Sequence, residues 1–295
     1  MAEKNQSDRF RIRPGKRVTL AKFDPADSSP FKERGDAEGL LEKELTQIAT
    51  LQNRLYAEDR WALLLIFQAM DGGGKDSIVK HVLRGLDPHG THCVSFKAPS
   101  LEELDHDYLW RCTKEMPQRG RIGIFNRSYY EEVLIARVEP GILAAQHMPQ
   151  NLVTKRIWQE RYEDINAMER YLTRNGIAIC KFFLNVSKEE QKRRFLQRIE
   201  DPAKNWKFSI EDIAKRKQWA DYQRAYEDLL TETSSEWAPW HVIPADRKWF
   251  TRIAVARIIR EALEAIDPQF PVLSKTQRAE LETARKMLEQ EDAGE

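Results

Sequence analysis

A short apolar run that ends in a glycine-rich loop constrains this chain most. Residues 62–68 read ALLLIFQ, which is apolar on both faces, as is typical of a central parallel strand. The sequence AMDGGGKDS follows, and a helical pattern comes next. Glycines let successive backbone N–H groups turn inward towards phosphate oxygens, while the helix dipole and Lys75 add positive charge. The segment therefore predicts a phosphate-binding loop between a strand and a helix.

The match of this loop to G-x-x-x-x-G-K-[ST] is imperfect. Ala69 stands where the first glycine belongs, and Asp76 stands where the Mg²⁺-binding hydroxyl belongs. An ordinary glycine turn is the alternative, but the strand before the loop and the helix after it favour phosphate binding. The residues predicted to bind phosphate here are Gly72, Gly73, Gly74, Lys75, Asp76 and Ser77.

Asp71 is an unusual residue in such a loop, because a carboxylate repels phosphate. The presence of this carboxylate is explained if Asp71 holds Mg²⁺ or accepts a proton from an attacking phosphate. A turn aspartate that bonds to its own backbone is the other interpretation. The sequence leaves the two open.

Strand-like and helical patterns alternate along most of the chain. The strand-like runs are 62–68, 92–96, 122–125, 177–184 and 240–243, and the helical patterns are 37–58, 78–86, 101–116, 128–138, 152–174, 188–198 and 252–266. This order predicts an α/β fold with a parallel sheet covered on both faces. Ligands bind such sheets at the carboxyl ends of the strands, where segments 69–77, 97–100, 126–132 and 185–207 all fall.

The length of 295 residues suits one large α/β domain with additions, or at most two domains. We expect an irregular arm over 1–36, the main domain over 37–272 with a lid at about 188–217, and a charged helix or tail over 273–295. The formal net charge of +1 argues against a general coat for nucleic acid or membranes. Residues 61–67 are too few to span a bilayer, and the first residues lack the apolar core of a signal peptide. A cytoplasmic location is the resulting expectation.

The third strand ends in IFNRSYYEEV, the place of a Walker-B motif. Asn126 stands where P-loop enzymes often carry a metal-binding aspartate, and Arg127 is suited to stabilising charge on a transferring phosphoryl group. Glu131 or Glu132 is suited to serving the metal or orienting the acceptor. The alternative for both glutamates is an exposed helix face, which we favour for Glu132.

A basic run follows the fourth strand. Residues 191–208 contain Lys192, Arg193, Arg194, Arg198, Lys204 and Lys207. Such a run is often a solvated helix face, but beside a phosphate loop it predicts a lid whose arginines close over phosphates. A chain of phosphates needs a basic track of this kind.

Several long blocks, in order, resemble the polyphosphate kinase 2 family. They are FQAMDGGGKDS, SFKAPSLEELDHDYLWR, GRIGIFNRSYYEEVLIARV, LNVSKEEQKRRFLQRIEDPAKNWKFS and APWHVIPADRKWF, and the resemblance spans about 31–271. It implies a P-loop kinase fold related to thymidylate kinase, with a three-layer parallel sheet and a helical lid. It also implies Mg²⁺ and polyphosphate as cofactor and substrate, and assembly as a homodimer or homotetramer.

The resemblance also implies roles for single residues. The catalytic set is Asp71, Lys75, Asn126, Arg127 and Glu131, with Asp71 as the Mg²⁺ ligand; Arg193, Arg194 and Arg198 are lid residues, and Lys97, Arg127 and Glu131 lie near the nucleotide. Asn126-Arg127-Ser128 followed by Glu131 is similar to the class III members, which accept AMP and ADP. The implied reactions are AMP to ADP and ADP to ATP, reversibly, with adenine nucleotides as substrates and guanine left open.

Two rival functions are compatible with the sequence. One is an ATP-dependent nucleotide or metabolite kinase, which the long basic lid disfavours. The other is a module that binds nucleotide or polyphosphate without catalysis, an option that Asn126 in place of aspartate supports. The presence of Asp71, Arg127 and Glu131 together favours an enzyme.

Overall fold

The computed structural model describes residues 7–291, and its centre is a five-stranded sheet in the order β2-β3-β1-β4-β5. The strands are β1 (Ala62–Gln68), β2 (Thr91–Ser95), β3 (Ile122–Asn126), β4 (Ile177–Asn185) and β5 (Trp240–Pro244). All neighbouring pairs are parallel. Every residue of β1 is buried, as its uninterrupted apolar sequence predicts.

Helices cover both faces of this sheet. They are α1 (Leu40–Glu58), α2 (Lys75–Val82), α3 (Leu101–Leu104), α4 (Trp110–Thr113), α5 (Ile135–Val138), α6 (Pro140–Ala144), α7 (Ile157–Arg174), α8 (Lys188–Glu200), α9 (Ile210–Lys217), α10 (Trp219–Thr233), α11 (Lys248–Ile266) and α12 (Lys275–Glu291). One layer contains α1, α2 and α11, and the other contains α5, α7 and α10. The predicted three-layer α/β fold is confirmed.

The residues before α1 lie over the edge of the sheet. Phe10, Ile12, Val18 and Leu20 are buried in the main core. Arg11 forms an antiparallel bridge with His241 of β5. The arm thereby covers part of an edge strand whose backbone groups would otherwise be open.

Two predicted helices are wrong in form. The pattern over 101–116 gives α3 and α4 with a break between them, because the Asp107 carboxylate accepts a hydrogen bond from the Leu109 N–H (2.9 Å) and stabilises a turn. The pattern over 128–138 begins as a 3₁₀ helix, Tyr129–Val133, and continues as α5. The Ser128 hydroxyl caps this tighter turn by accepting from the Tyr130 N–H (3.2 Å).

Other boundaries move by a few residues. Helix α7 begins at Ile157 rather than 152, α11 begins at Lys248 rather than 252, and α2 begins at Lys75, directly on the glycine loop. Residues 199–209, which follow the predicted helix 188–198, contain the end of α8 and a 3₁₀ turn, Asn205–Lys207. Helix α12 is exposed along its whole length. Across residues 7–291, each helix is too short or too polar to cross a membrane.

Candidate phosphate-transfer site

A cleft of about 460 Å³ lies at the carboxyl ends of the strands. Its walls come from the glycine loop, the segment after β2, the end of β3, and the lid. Eight basic side chains line it, namely Lys75, Lys97, Arg127, Arg194, Arg198, Lys204, Lys207 and Lys248, against three acidic ones, Asp71, Asp76 and Asp212. The strand-end segments therefore meet at one site, as the alternation of strands and helices predicts.

The glycine loop adopts a conformation that other residues rarely adopt. Gly72 and Gly74 have φ angles of +77° and +101°. A Cβ on Gly73 would stand 2.6 Å from the Cβ of Ala69 and 2.8 Å from the carbonyl oxygen of Met70. Ala69 thus fits in place of the expected glycine because residue 73 has no side chain.

Lys75 is buried at the first position of α2, and its Nζ donates to the Ala69 carbonyl oxygen (2.7 Å). Burial lowers the pKa of Lys75, and the nearby Arg127 lowers it further, to about 8. Asp71, Glu131 and Asp76 oppose this shift. A bound phosphate would add negative charge beside this ammonium group, whose hydrogen-bond partner is otherwise an uncharged carbonyl oxygen.

Asp71 pairs with two cations. Its carboxylate accepts from Arg127 (2.8 Å) and lies 3.7 Å from the Nζ of Lys215. Burial alone would raise the pKa of Asp71, but Lys75, Arg127 and Lys215 lower it below its usual value. The carboxylate is therefore ionised, and its contacts are with side chains across the cleft. This geometry favours a role in the site over that of a simple turn aspartate.

The end of β3 positions Arg127 and Asn126. Arg127 has a φ angle of +64°, which is uncommon outside glycine, and its N–H donates to the Phe67 carbonyl oxygen (3.0 Å). The Asn126 side-chain amide donates to the Asp76 carboxylate (2.8 Å). The acid that P-loop enzymes often carry at the end of β3 is here Asp76, directly after the loop lysine. Asn126, an uncharged polar residue, stands at the end of β3, and the two side chains are in contact.

Glu131 lies in a second, smaller cleft on the far side of Arg127. About 30 Å³ is open there, between Arg127, Tyr222, Tyr226 and the lid residue Lys215. Lys97 lines the larger cleft and a further cavity of about 330 Å³ but not the smaller cleft, so the predicted nucleotide-binding residues do not all share one space.

The exposed helix face predicted for Glu132 is wrong. Glu132 is buried, its carboxylate lies 3.4 Å from Arg161, and it accepts a hydrogen bond from Gln146 (2.5 Å). The 3₁₀ turn changes which side chains face the core, and this places Glu132 inward. Its role is to anchor the turn that carries Glu131.

Helix α8 clamps the glycine loop. The Gln191 amide donates to the Asp71 carbonyl oxygen (2.7 Å), and the Arg194 guanidinium donates to that of Gly72 (3.0 Å). Arg193 faces outward, half exposed and paired with Glu190 (2.6 Å), and does not line the cleft. The three lid arginines predicted from sequence therefore differ in position. Arg194 is buried, contacts the loop backbone and lines the cleft, Arg198 lines the cleft, and Arg193 lies outside it.

Several cleft residues are absent from the sequence predictions. They are Gln191, Asp212, Lys215 and Lys248. Asp212 and Lys215 lie three residues apart on α9, so helical spacing indicates a shared face, but only the fold shows that this face meets Asp71. Lys207 reaches Asp76 from the lid in the same way (3.7 Å).

The acidic residues of the cleft suit a hard cation that retains water and substrate ligands. Within residues 7–291, no group of three or more His, Cys, Asp or Glu side chains could hold a metal ion by itself. Mg²⁺ commonly binds through one or two carboxylates together with substrate phosphates. Asp71, ionised and lining the cleft, fits that donor set.

The model of the family described as Polyphosphate kinase 2 matches residues 32–271. The chain belongs to the polyphosphate kinase 2 family. This confirms the resemblance seen in the sequence blocks, and the match covers all five strands and the cleft.

Two relatives match most or nearly all of the chain. An ADP-polyphosphate phosphotransferase of Rhodopseudomonas palustris is 47% identical over 97% of this chain and 99% of its own length. An AMP/ADP-polyphosphate phosphotransferase of Meiothermus ruber is 41% identical, over 89% and 95%. The predicted enzyme class, a polyphosphate-dependent nucleotide phosphotransferase, agrees with this family and with both relatives.

A crystal structure of Polyphosphate Kinase 2 from Arthrobacter aurescens TC1 is similar in fold. It superposes with a TM-score of 0.85 at 39% sequence identity, covering 95% of this chain and 96% of that one. The similarity extends over the sheet and the lid together, so the P-loop kinase fold is that of the family.

Proposed function

We propose that this protein transfers the terminal phosphoryl group of inorganic polyphosphate to AMP and to ADP, reversibly and with Mg²⁺. The observation that carries the proposal is the cleft itself, in which a phosphate loop faces a wall of cations wide enough for several phosphates. A site for a single phosphate group does not need basic residues from this many segments. We also propose a homodimer or homotetramer, as the family resemblance implies.

In this proposal the glycine loop and Lys75 bind the reacting end of the donor. The loop N–H groups and the buried ammonium hold the phosphoryl oxygens, and Arg127 neutralises charge that spreads over them during transfer. Asp71 holds the guanidinium of Arg127 in place through a 2.8 Å hydrogen bond. Holding donor and acceptor in line accounts for much of the rate enhancement.

The lid contributes cations that already reach the loop. Lys207 contacts Asp76, and Lys215 contacts Asp71, both at 3.7 Å. Substrate phosphates would compete with these carboxylates for the two ammonium groups. We propose that a lid at about 188–217 closes on the phosphates and excludes water, which would otherwise accept the phosphoryl group.

Asp71 is the residue that we propose as the protein ligand of Mg²⁺. The metal, when bound, would supply positive charge to the donor and acceptor phosphate oxygens. Lys75, Arg127 and Lys215 keep the Asp71 pKa low, so the carboxylate is available as a ligand at neutral pH.

Purified protein given Mg²⁺, polyphosphate and AMP without ATP should accumulate ADP and then ATP. Chromatographic quantification of the three nucleotides over time is the measurement. If AMP is unchanged while ADP becomes ATP, the AMP part of the proposal fails. If polyphosphate supports neither reaction and ATP phosphorylates an acceptor, the protein is an ordinary ATP-dependent kinase. Incubation of the products with excess ATP tests reversibility by the formation of polyphosphate.

We expect Glu131→Asn to shift acceptor preference from AMP towards ADP. The ratio of kcat/KM for ADP to kcat/KM for AMP should rise about tenfold. The change removes a negative charge beside Arg127, and this charge repels the additional phosphate of ADP more than it repels AMP. Steady-state kinetics with each nucleotide at saturating polyphosphate measure the ratio. Glu163→Asn, on the exposed face of α7, is the matched control. An unchanged ratio in Glu131→Asn would reject this role.

A further inference from the structure

A group of cations continues beyond the cleft along α11. Lys248 lines the cleft, and Arg252, one turn further on, lines a separate cavity of about 370 Å³ together with Arg34 of the arm. We call Lys248, Arg252 and Arg34 the outer strip. Arg252 connects it to the phosphate loop, because its Nη2 lies 3.3 Å from the hydroxyl oxygen of Ser77.

The outer strip has more positive charge than its own acids balance. Burial lowers the pKa of Arg252, and Arg34 and Arg84 lower it further. The cavity contains two acids, of which Glu42 pairs with Arg84, while Glu38 remains. Within residues 7–291, the side chain of Arg34 has no ion pair.

Arg252 also has a hydrogen-bond donor without a partner. Its Nε is buried from solvent and contacts no acceptor within the described part of the chain. An unmet buried donor on a cationic group costs free energy. An anion in the adjoining cavity would supply a countercharge to the guanidinium group of Arg252.

We propose, on the basis of the proposed function, that the outer strip is a subsite for donor phosphates that lie beyond the reacting end of the chain. Polyphosphate carries a charge on every unit, so a chain held at the loop presents further charges to the next cations along its path. Ser77 lines the cleft and contacts Arg252, so the outer strip begins directly beside the cleft. The strip therefore makes donor affinity depend on chain length.

The position of the outer strip favours the donor over the acceptor. Lys248 and Arg252 lie on α11, which follows β5 at one edge of the sheet, while Glu131 follows β3 on the other side of β1. Arg127 and Glu131 share the smaller cleft, which the outer strip does not line. A nucleotide seated beside Glu131 leaves the strip free for the remaining donor phosphates.

The test uses Arg34→Gln, because Arg34 touches neither the loop nor the cleft lining. KM for polyphosphate is measured across size-fractionated donors, from the shortest that the wild type uses to long chains. We expect KM for long chains to rise about fivefold, with KM for the shortest donor, KM for the nucleotide and kcat unchanged. The increase should shrink as salt is added, since the contact is exposed and ionic.

Arg174→Gln is the matched control. Arg174 is an exposed arginine at the end of α7, just before β4 begins, whereas the cleft lies at the carboxyl ends of the strands. A ratio of long-chain to short-chain KM that is the same in Arg34→Gln and wild type overturns the subsite. So does an equal loss with all donors, or a changed KM for the nucleotide alone. If the wild type shows no polyphosphate-driven transfer, the proposed function itself is rejected. Failure of the subsite and failure of the proposed function are therefore distinguishable.

Discussion

Replacing Lys75 with alanine should reduce kcat/KM for polyphosphate by about two to three orders of magnitude while the fold is retained. Lys75 is the only residue of the glycine loop that brings a buried positive charge to the phosphates, and it lies at the start of α2, where the helix dipole adds to it. Within residues 7–291, the Lys75 side chain donates one hydrogen bond, to the Ala69 carbonyl oxygen, and a bound phosphate can replace this acceptor.

The same group predicts how activity depends on pH. The pKa of Lys75 is lowered to about 8, chiefly by burial, so the ammonium form dominates below that pH and is lost above it. We therefore expect kcat/KM for the donor to fall as pH rises through about 8 in the free enzyme. Lys75→Arg stays charged in this range and should lose that fall, although its shape reduces activity at every pH.

The measurement is initial velocity over a range of polyphosphate concentrations, with thermal unfolding as the check on folding. Lys80→Ala is the matched control, because Lys80 lies on the same helix with its side chain exposed and outside the cleft. A folded Lys75→Ala protein with wild-type turnover would remove the phosphate-loop assignment.

The strands and the glycine loop could be predicted because their signals are local. β1 is apolar throughout and is followed at once by glycines, so neither feature needs information from the rest of the chain. The strand ends also meet at one cleft because parallel topology requires it. Site residues on these ends, Asp71, Asn126 and Arg127, are therefore brought together as predicted.

The residues that hold this site in place could not be predicted, because their partners are distant in sequence. Gln191 binds the backbone of Asp71, 120 residues away, and the sequence around Gln191 shows only a basic amphipathic helix. A regular helix from residue 128 onward would place Glu132 on an exposed face. The 3₁₀ turn changes that register, and its partner Arg161 is 29 residues further along.

Replacing Lys181 with methionine should destabilise the folded protein by about 3–5 kcal/mol. Lys181 is fully buried in β4, and its Nζ donates to the Glu169 carboxylate (2.6 Å), the Tyr130 hydroxyl (2.8 Å) and the Thr233 carbonyl oxygen (2.7 Å). Removing the ammonium leaves a carboxylate buried without a countercharge. Because Tyr129 and Tyr130 both donate to Glu169, the turn that carries Glu131 would loosen as well.

Urea unfolding of Lys181→Met and of the wild type at neutral pH measures the loss.

A second variant separates the lost charge pair from lost packing. Adding Glu169→Gln to Lys181→Met removes the uncompensated charge, while the amide oxygen still accepts from a tyrosine, so part of the stability should return. Lys43→Met, an exposed change on α1, should stay within about 0.5 kcal/mol of wild type. Glu169→Gln is also measured alone. If the loss of unfolding free energy in the double variant equals the sum of the losses in the two single variants, Lys181 and Glu169 contribute independently, and the buried pair does not hold the turn that carries Glu131.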